Sequence, residues 1–511
     1  MAATRSLARC GSGAARVAGR RELQVAATES LSPRAHTATP LRPLSEMGGP
    51  PAWPLVGNFV QYVKKGNRGR LHEVLASQHD QYGTVFREKL GPRTHVHVSD
   101  PALFEKVLRQ EGRFPKRNAF LSWILYRKVT GEALGPVTSE GPEWHRLRST
   151  LSKRLLRPKM VQQFEDDINA VVTDLVAKLR HERDQGDGKT INRLPNELYK
   201  WAMESIGTVV FETRMGCLKN PVPPTVQEFI NAMDLMMKSS LQIIIGEELH
   251  QKLNTRFWRR HKHAWDTLFK TTTLFVDNRL EAVKQQLESE SEDIHGAFLS
   301  YFLATSQLSR RELNASVVEI LLGGVDTTSN TMSFTLHMLA NHQNVQEKVH
   351  AEISREVGDR IPTAQDLQRL PYLKNVVKET LRLYPTIPMN VRMLNTDIDL
   401  AGYHIPKETL IVMNHHAACR SPAVFDNPTE FLPERWDKSE KDAIHKFASL
   451  PFGYGPKSCL GRRIAEMEIH LALARISQQF HLAPTDRLPF KPFLRTLLSP
   501  GEQLPIEFND R

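Results

Sequence analysis

Between Arg311 and Asn341 apolar residues recur on several sides of a helix rather than along one stripe: Val317, Ile320, Leu321 and Val325, then Met332, Phe334, Leu336 and Leu339. A surface helix hides a single stripe, so this pattern predicts a helix buried on most of its faces. Gly323, Gly324, Asp326, Thr327 and Thr328 interrupt it, and all are poor helix formers. Stability does not explain them; taken alone the string reads as a Ser/Thr-rich helix that bends through side chain to backbone bonds, with a chemical role as the alternative. Helical periodicity dominates residues 100–380, broken at turn-rich stretches such as Lys219-Asn220-Pro221-Val222-Pro223-Pro224. Strand-like alternation is confined to short pieces. Thr84–Leu90 and Thr94–Val98 flank a Gly91-Pro92 turn and predict a hairpin, and Leu410–Met413 reads as a strand in a proline-rich region from 385 to 460. A second amphipathic helix is expected from Gly461 through Ile464, Met467, Leu471 and Leu473. The balance predicts a mainly α chain with small β-sheets, α+β in class. Gly48-Gly49-Pro50-Pro51-Ala52-Trp53-Pro54 is a stiff lead-in, and no repeat or linker follows, so residues 46–511 are expected to form one domain behind a flexible segment 1–45.

Charge changes the reading of that first segment. The net +11 is uneven: residues 1–45 hold seven arginines (Arg5, Arg9, Arg16, Arg20, Arg21, Arg34, Arg42) against Glu22 and Glu29. The absence of acids before Glu22, with abundant Ala, Arg and Ser and no apolar run, fits a mitochondrial transit peptide; a disordered basic tail has the same composition. Nowhere do about 18 or more apolar residues follow one another, so no bilayer-spanning helix is expected and the mature protein is expected to be soluble or peripherally attached to a membrane. Cys10, Cys217, Cys419 and Cys459 lie far apart, which argues against a disulfide framework or a zinc cluster. His261-Lys262-His263 is expected on a solvated helix face, and the glycosylation pattern Asn314-Ala315-Ser316 is discounted because it falls within a helix.

The strongest chemical candidate is Cys459, in Phe452-Gly453-Tyr454-Gly455-Pro456-Lys457-Ser458-Cys459-Leu460-Gly461. It follows a glycine-bearing loop and directly precedes a helix, whose positive end lowers a thiol pKa and favours thiolate. Gly455 and Gly461 permit close approach of a flat ligand, and Phe452 can cover the sulfur. An inert buried cysteine is the plain alternative. A dinucleotide loop fails, since Ser458 stands where a third glycine is needed.

This loop resembles the cysteine-ligand signature of cytochromes P450, and three further signatures of that family occur in order: Asp326-Thr327 within the buried helix, Glu379-Thr380-Leu381-Arg382, and Phe431-Leu432-Pro433-Glu434-Arg435-Trp436. The resemblance covers the chain from about residue 50. It implies a triangular helical prism around a buried haem b, with Cys459 as the axial ligand of the iron. It also implies a structural triad of Glu379, Arg382 and Arg435, and an acid–alcohol pair, Asp326 and Thr327, that handles protons during oxygen activation. Trp144 and Arg148, in Trp144-His145-Arg146-Leu147-Arg148, and Arg392 resemble the family's haem-propionate contacts, as does Lys457, where the usual arginine is replaced. Lysine keeps the charge but gives up the two-point fork.

By the same resemblance the activity is hydroxylation with O2. No flavin, nicotinamide or iron–sulfur pattern is present, so electrons are expected from NADPH through a ferredoxin reductase and an acidic 2Fe-2S ferredoxin. Lys374, Lys378, Arg462 and Arg463 resemble the basic docking residues of the mitochondrial members. Lys200–Ile206 and Ala264–Phe269 are similar to the vitamin D and sterol hydroxylase group, which implies a lipophilic sterol, steroid or secosteroid and a place on the matrix side of the mitochondrial inner membrane. Leu235-Met236-Met237 and Leu241–Ile245 are candidates for a channel entrance that dips into a leaflet, with ordinary helix packing as the alternative. A monomer without a nucleic-acid partner is expected. A haem-thiolate isomerase or peroxygenase is disfavoured by the presence of both Asp326 and Thr327; a non-catalytic haem- or lipid-binding protein is the reading from a different class.

Overall fold

The computed structural model of the protein describes residues 40–511 apart from 65, 68, 92, 119, 244–245, 289–297, 306 and 487–489. The presequence reading lies outside these residues. Helices form where the periodicity is long: α1 (Leu121–Thr130), α2 (Gly141–Leu155), α3 (Glu165–Asp184), α4 (Leu194–Phe211), α5 (Pro224–Ile243), α6 (Arg256–Glu288), α7 (Arg310–Asn341), α8 (Pro371–Leu383) and α9 (Arg462–Gln479). The long buried pattern is α7, which packs against α4, α6, α8 and α9 and is buried along nearly its whole length. It begins at a capping box, in which Ser309 Oγ accepts from Glu312 N and Glu312 Oε2 accepts from Ser309 N at 2.8 Å. This satisfies donors that the first turn leaves unpaired and fixes where the helix starts.

The strands are β1 (Arg42–Pro43), β2 (Val85–Leu90), β3 (Arg93–Val98), β4 (Thr190–Ile191), β5 (Asn390–Met393), β6 (Ile398–Leu400), β7 (Tyr403–Ile405), β8 (Leu410–Met413), β9 (Phe480–Pro484), β10 (Phe493–Leu494), β11 (Leu498–Ser499) and β12 (Ile506–Asp510). They make small sheets in the orders β2-β3-β8-β5, β1-β7-β6, β4-β12-β9 and β10-β11, so the mainly α, α+β expectation holds. The expected hairpin is β2 and β3, antiparallel. Strand β8 reads as an apolar run because it is interior, parallel to β3 on one side and antiparallel to β5 on the other. The folded unit begins at Leu41, a few residues inside the segment expected to be flexible. There β1 pairs in parallel with β7, and the Arg42 guanidinium lies 4.0 Å over the Tyr403 ring.

His261 departs from expectation. It is fully buried on α6, where Nε2 accepts from Trp265 Nε1 at 3.1 Å and Nδ1 lies 3.0 Å from Ser239 Oγ. The charged neighbours suggested a solvated face, but this one position turns inward onto α5. Asn314 is buried and donates to Thr273 Oγ1 at 2.9 Å, in keeping with discounting it as a glycan acceptor.

Four buried histidines predict an acid-labile fold. Burial pushes His79, His261 and His415 down to about 4 and His470 to about 3. Asn414 donates into His79 Nε2 at 2.7 Å and Asn390 into His415 Nε2 at 2.9 Å, contacts that only a neutral ring accepts. Above the unfolded value of about 6.5 both states are neutral, so stability is flat. Below it the unfolded chain takes up protons that the folded one refuses, and stability falls until about pH 4, by at most roughly 3 kcal/mol per histidine. Urea denaturation midpoints measured from pH 8 to 4.5 are expected to be level down to about pH 6.5 and then to drop steeply.

Candidate active site

Cys459 ends a tight loop and precedes α9. Its N–H donates to Phe452 O at 2.8 Å, Ser458 N donates to Gly455 O at 3.0 Å, and Gly453 and Gly455 adopt φ of +67° and +71°. Both glycines are required by backbone sterics. A side chain at Gly455 would also strike the Glu111 carboxylate, so the close approach there is by protein rather than ligand. At Gly461, in contrast, nothing lies within 4 Å of a Cβ position. The Cys459 side chain is exposed, yet burial among protein atoms raises its thiol. A group shows both properties when protein atoms crowd around it while one face of it stays open. The expectation of a thiol lowered by the helix start is reversed: burial outweighs the Gly461 N–H and the nearby Arg148, Arg117 and Arg462. A coordinated metal would reverse this, since a metal-bound thiol is deprotonated outright.

A cluster of cations surrounds the loop. Arg117, Arg148, Arg392 and Lys457 act on one another, and Arg117 and Arg148 also on Cys459. Lys457 is pushed down to about 7 by burial and then by Arg117, Arg392 and Arg148, while Arg117 falls to about 10. The Lys457 ammonium sits 4.0 Å over the buried Trp144 ring and 3.4 Å from Ser139 O. Arg117 Nη2 donates to Lys457 O at 2.7 Å, and Arg392 is held by Glu111, whose Oε1 has no partner. Four basic side chains, one of them titrating near neutrality, thus stand against the buried Glu111 and the more exposed Glu140. Such a surplus is stable beside further anions, so the donor set fits a ligand that brings carboxylates, as the two propionates of haem do. A second sign of fit is Cys459 itself, an accessible sulfur at the end of the loop on which Arg117 and Arg148 act. Arg117 was missed in the sequence, because it belongs to no local motif and meets Lys457 only through the fold.

On α7, Gly323 is exposed in the middle of an otherwise buried helix, with nothing within 4 Å of a Cβ position. Gly324 serves a different purpose, for a Cβ there would press on Ile206 of α4 at 3.1 Å. One glycine opens a space and the other closes a helix contact. Thr327 Oγ1 donates to Gly323 O at 2.7 Å, so its proton is engaged and its lone pairs remain free to accept. Asp326 is buried, and burial raises its carboxyl against the attraction of Arg495.

The remaining expected groups are also brought together. Glu379 Oε1 and Oε2 accept from Arg382 at 2.7 and 2.9 Å, from Arg435 Nε at 2.9 Å, and from Trp436 Nε1 at 2.9 Å, the last unforeseen. Lys374, Lys378 and Arg462 lie close enough to repel one another, and the fold adds Lys441 to them. Arg463 is exposed at the next position. Arg462 pairs with Glu466 at 2.9 Å, whereas among the described residues Lys374 and Lys378 have no ion-pair partner.

The model of the family described as Cytochrome P450 matches residues 47–507. The chain is 36% identical to Cytochrome P450 27C1 of Danio rerio over 98% of its own length and 93% of that protein. It is 39% identical to the mitochondrial 25-hydroxyvitamin D-1 alpha hydroxylase of Rattus norvegicus, over 92% of this chain and 95% of the relative. To the mitochondrial sterol 26-hydroxylase of Homo sapiens it is 35% identical, over 89% and 87%. Similarity on this scale runs through the whole folded unit and the Cys459 loop, and the chain therefore belongs to the cytochrome P450 family, as one of its monooxygenases.

Proposed function

We propose that the protein hydroxylates a sterol or secosteroid with O2, on the matrix side of the mitochondrial inner membrane, using electrons that pass from NADPH to an acidic ferredoxin. The observation that carries this reading is Cys459, solvent-accessible at the end of its loop with Arg117, Arg148, Arg392 and Lys457 gathered beside it. Relatives named as mitochondrial vitamin D and sterol hydroxylases support the compartment and substrate class. When bound, a haem with a thiolate donor supplies oxygen binding and O–O cleavage. Arg117, Arg148, Arg392 and Lys457 would hold its carboxylates. The Gly461 N–H supports the sulfur, and burial of α7 keeps bulk water from the reacting side. Thr327 offers its oxygen as an acceptor to a proton-carrying water, and Asp326 stores the proton behind it.

Membrane contact is supported by exposed apolar side chains at Trp53, Leu55, Leu241, Leu249 and Leu253, where no helix among the described residues is long and apolar enough to cross a bilayer. Met236, Met237 and Ile243 are buried instead, which suits a channel wall or core better than a leaflet contact; Ile244 and Ile245 lie outside the described residues. The Lys200–Ile206 and Ala264–Phe269 strings owe much to packing, because Trp201 and Trp265 are fully buried.

Turnover of a hydroxysterol or secosteroid panel with ferredoxin and its reductase tests the proposal. Product made from peroxide alone would mark a peroxygenase, and no product under either condition a carrier. The docking face makes a separate prediction. The double variant Lys374→Glu, Lys378→Glu is expected to raise the KM for ferredoxin about tenfold or more, an effect that fades at high salt. An unchanged KM would remove these lysines from the interface.

A further inference from the structure

The Asp326 carboxyl does not share the open side of α7 with Gly323. It turns to an ion pair whose other members lie outside the helix. Asp326 Oδ1 is 3.4 Å from Arg495 Nη2, and Arg495 occupies the turn between β10 and β11. The other arm of the same guanidinium, Nη1, donates to Asp234 Oδ1 of α5 at 3.1 Å. Asp234 also pairs with Lys238 at 2.8 Å, which lies 3.7 Å from Glu502. The Asp326 side chain is 5% exposed, that of Arg495 21% and that of Asp234 41%, so the chain of charges runs from the core to the surface.

One cation is therefore shared by two carboxylates on different helices. It cannot compensate both fully, and an uncompensated charge costs most at the buried end. Burial and Asp234 both push the Asp326 carboxyl up, while Arg495 pulls it down. Tyr199 of α4 is the remaining titratable group here: its hydroxyl is buried without a hydrogen-bond partner and stays protonated. Among the described residues of α6, α8 and α9, which also pack on α7, no charged group acts on Asp326.

We propose that Arg495 is a positioning residue that couples the placement of α5 to whether Asp326 carries a proton. With α5 seated, Asp234 claims part of the guanidinium and the balance at Asp326 shifts toward its protonated form. When α5 moves away, Arg495 turns wholly to Asp326, which remains a carboxylate. Because α5 also carries the channel candidates Leu235, Met236 and Met237, a substrate that seats this helix would load the acid. The inference rests on Asp326 as the proton store beside Thr327.

The test uses the purified holoenzyme with carboxyl-labelled aspartate, followed by infrared spectroscopy as pH is varied; the band missing from Asp326→Asn identifies the residue. Arg495→Gln is expected to raise the Asp326 midpoint by about one pH unit, and Asp234→Asn to lower it by about as much. Arg495→Lys should lie between wild type and Arg495→Gln. Loss of packing alone has no reason to move two variants in opposite directions. Shifts of the same sign, or none in Arg495→Gln, would overturn the coupling, and Asp234→Asn keeps the test open if an Arg495 variant folds poorly. Product formed per NADPH separates the underlying reading: if Asp326→Asn leaves that ratio unchanged, Asp326 is not the acid, whatever the titrations show.

Discussion

Cys459→His protein is expected to retain haem but to lose the thiolate red shift of the Soret band in the reduced, CO-bound spectrum, and its product formation should fall to background. The site explains why these two outcomes separate. Burial raises the Cys459 thiol, so the pocket disfavours charge on the ligand, and a neutral imidazole meets no electrostatic penalty there. The four cations beside the loop do not depend on the sulfur and still bind carboxylates. What is lost is electron donation from sulfur, which favours O–O cleavage. A variant that kept the red shift would show that another residue ligates the iron.

Arg382→Leu is expected to cost about 3–5 kcal/mol of stability, a large part of the roughly 5–15 kcal/mol that holds a domain. Arg382 and Glu379 are both fully buried. Every N–H of the guanidinium has a partner: Nε and Nη2 donate to Glu379, Nη1 to Cys419 O and Pro428 O at 2.7 Å, and Nη2 also to Glu430 O at 2.9 Å. Leucine strands three carbonyls and leaves the buried Glu379 charge to Arg435, Trp436 Nε1 and Leu432 N alone. Lysine fares little better, since three donors on a point charge cannot span five acceptor directions. Chemical denaturation of both variants measures this, and a loss below about 1 kcal/mol would mean that the network sets geometry without contributing stability. The carbonyls come from the segment between α8 and the Cys459 loop, so haem retention is expected to fall with stability.

Much of the site was legible because its signals are local. Cys459 stands between glycines at a helix start, Glu379 and Arg382 are one helical turn apart, and Gly323 to Thr328 conflict with the helix that contains them. In the structure Gly323 leaves an open space and Thr327 bonds back to its carbonyl. Other parts left no trace in local pattern. Arg117 meets Lys457 across 340 positions and Arg495 meets Asp326 across 169, and neither arginine differs in its neighbourhood from a solvated one. His261 misled for the opposite reason: charged neighbours suggested water, while its own side chain faces Trp265 and Ser239.

The sequence by itself determined the elements and marked Cys459 as a candidate, because periodicity, turn residues and helix starts act over a few positions of chain. The tertiary structure alone decided the electrostatics. Whether Cys459 is lowered or raised, whether Lys457 titrates near neutrality, and which cation answers Asp326 depend on burial and on charges from distant segments. Those quantities belong to the folded volume, since desolvation and Coulomb interaction follow distance in space, not separation along the chain.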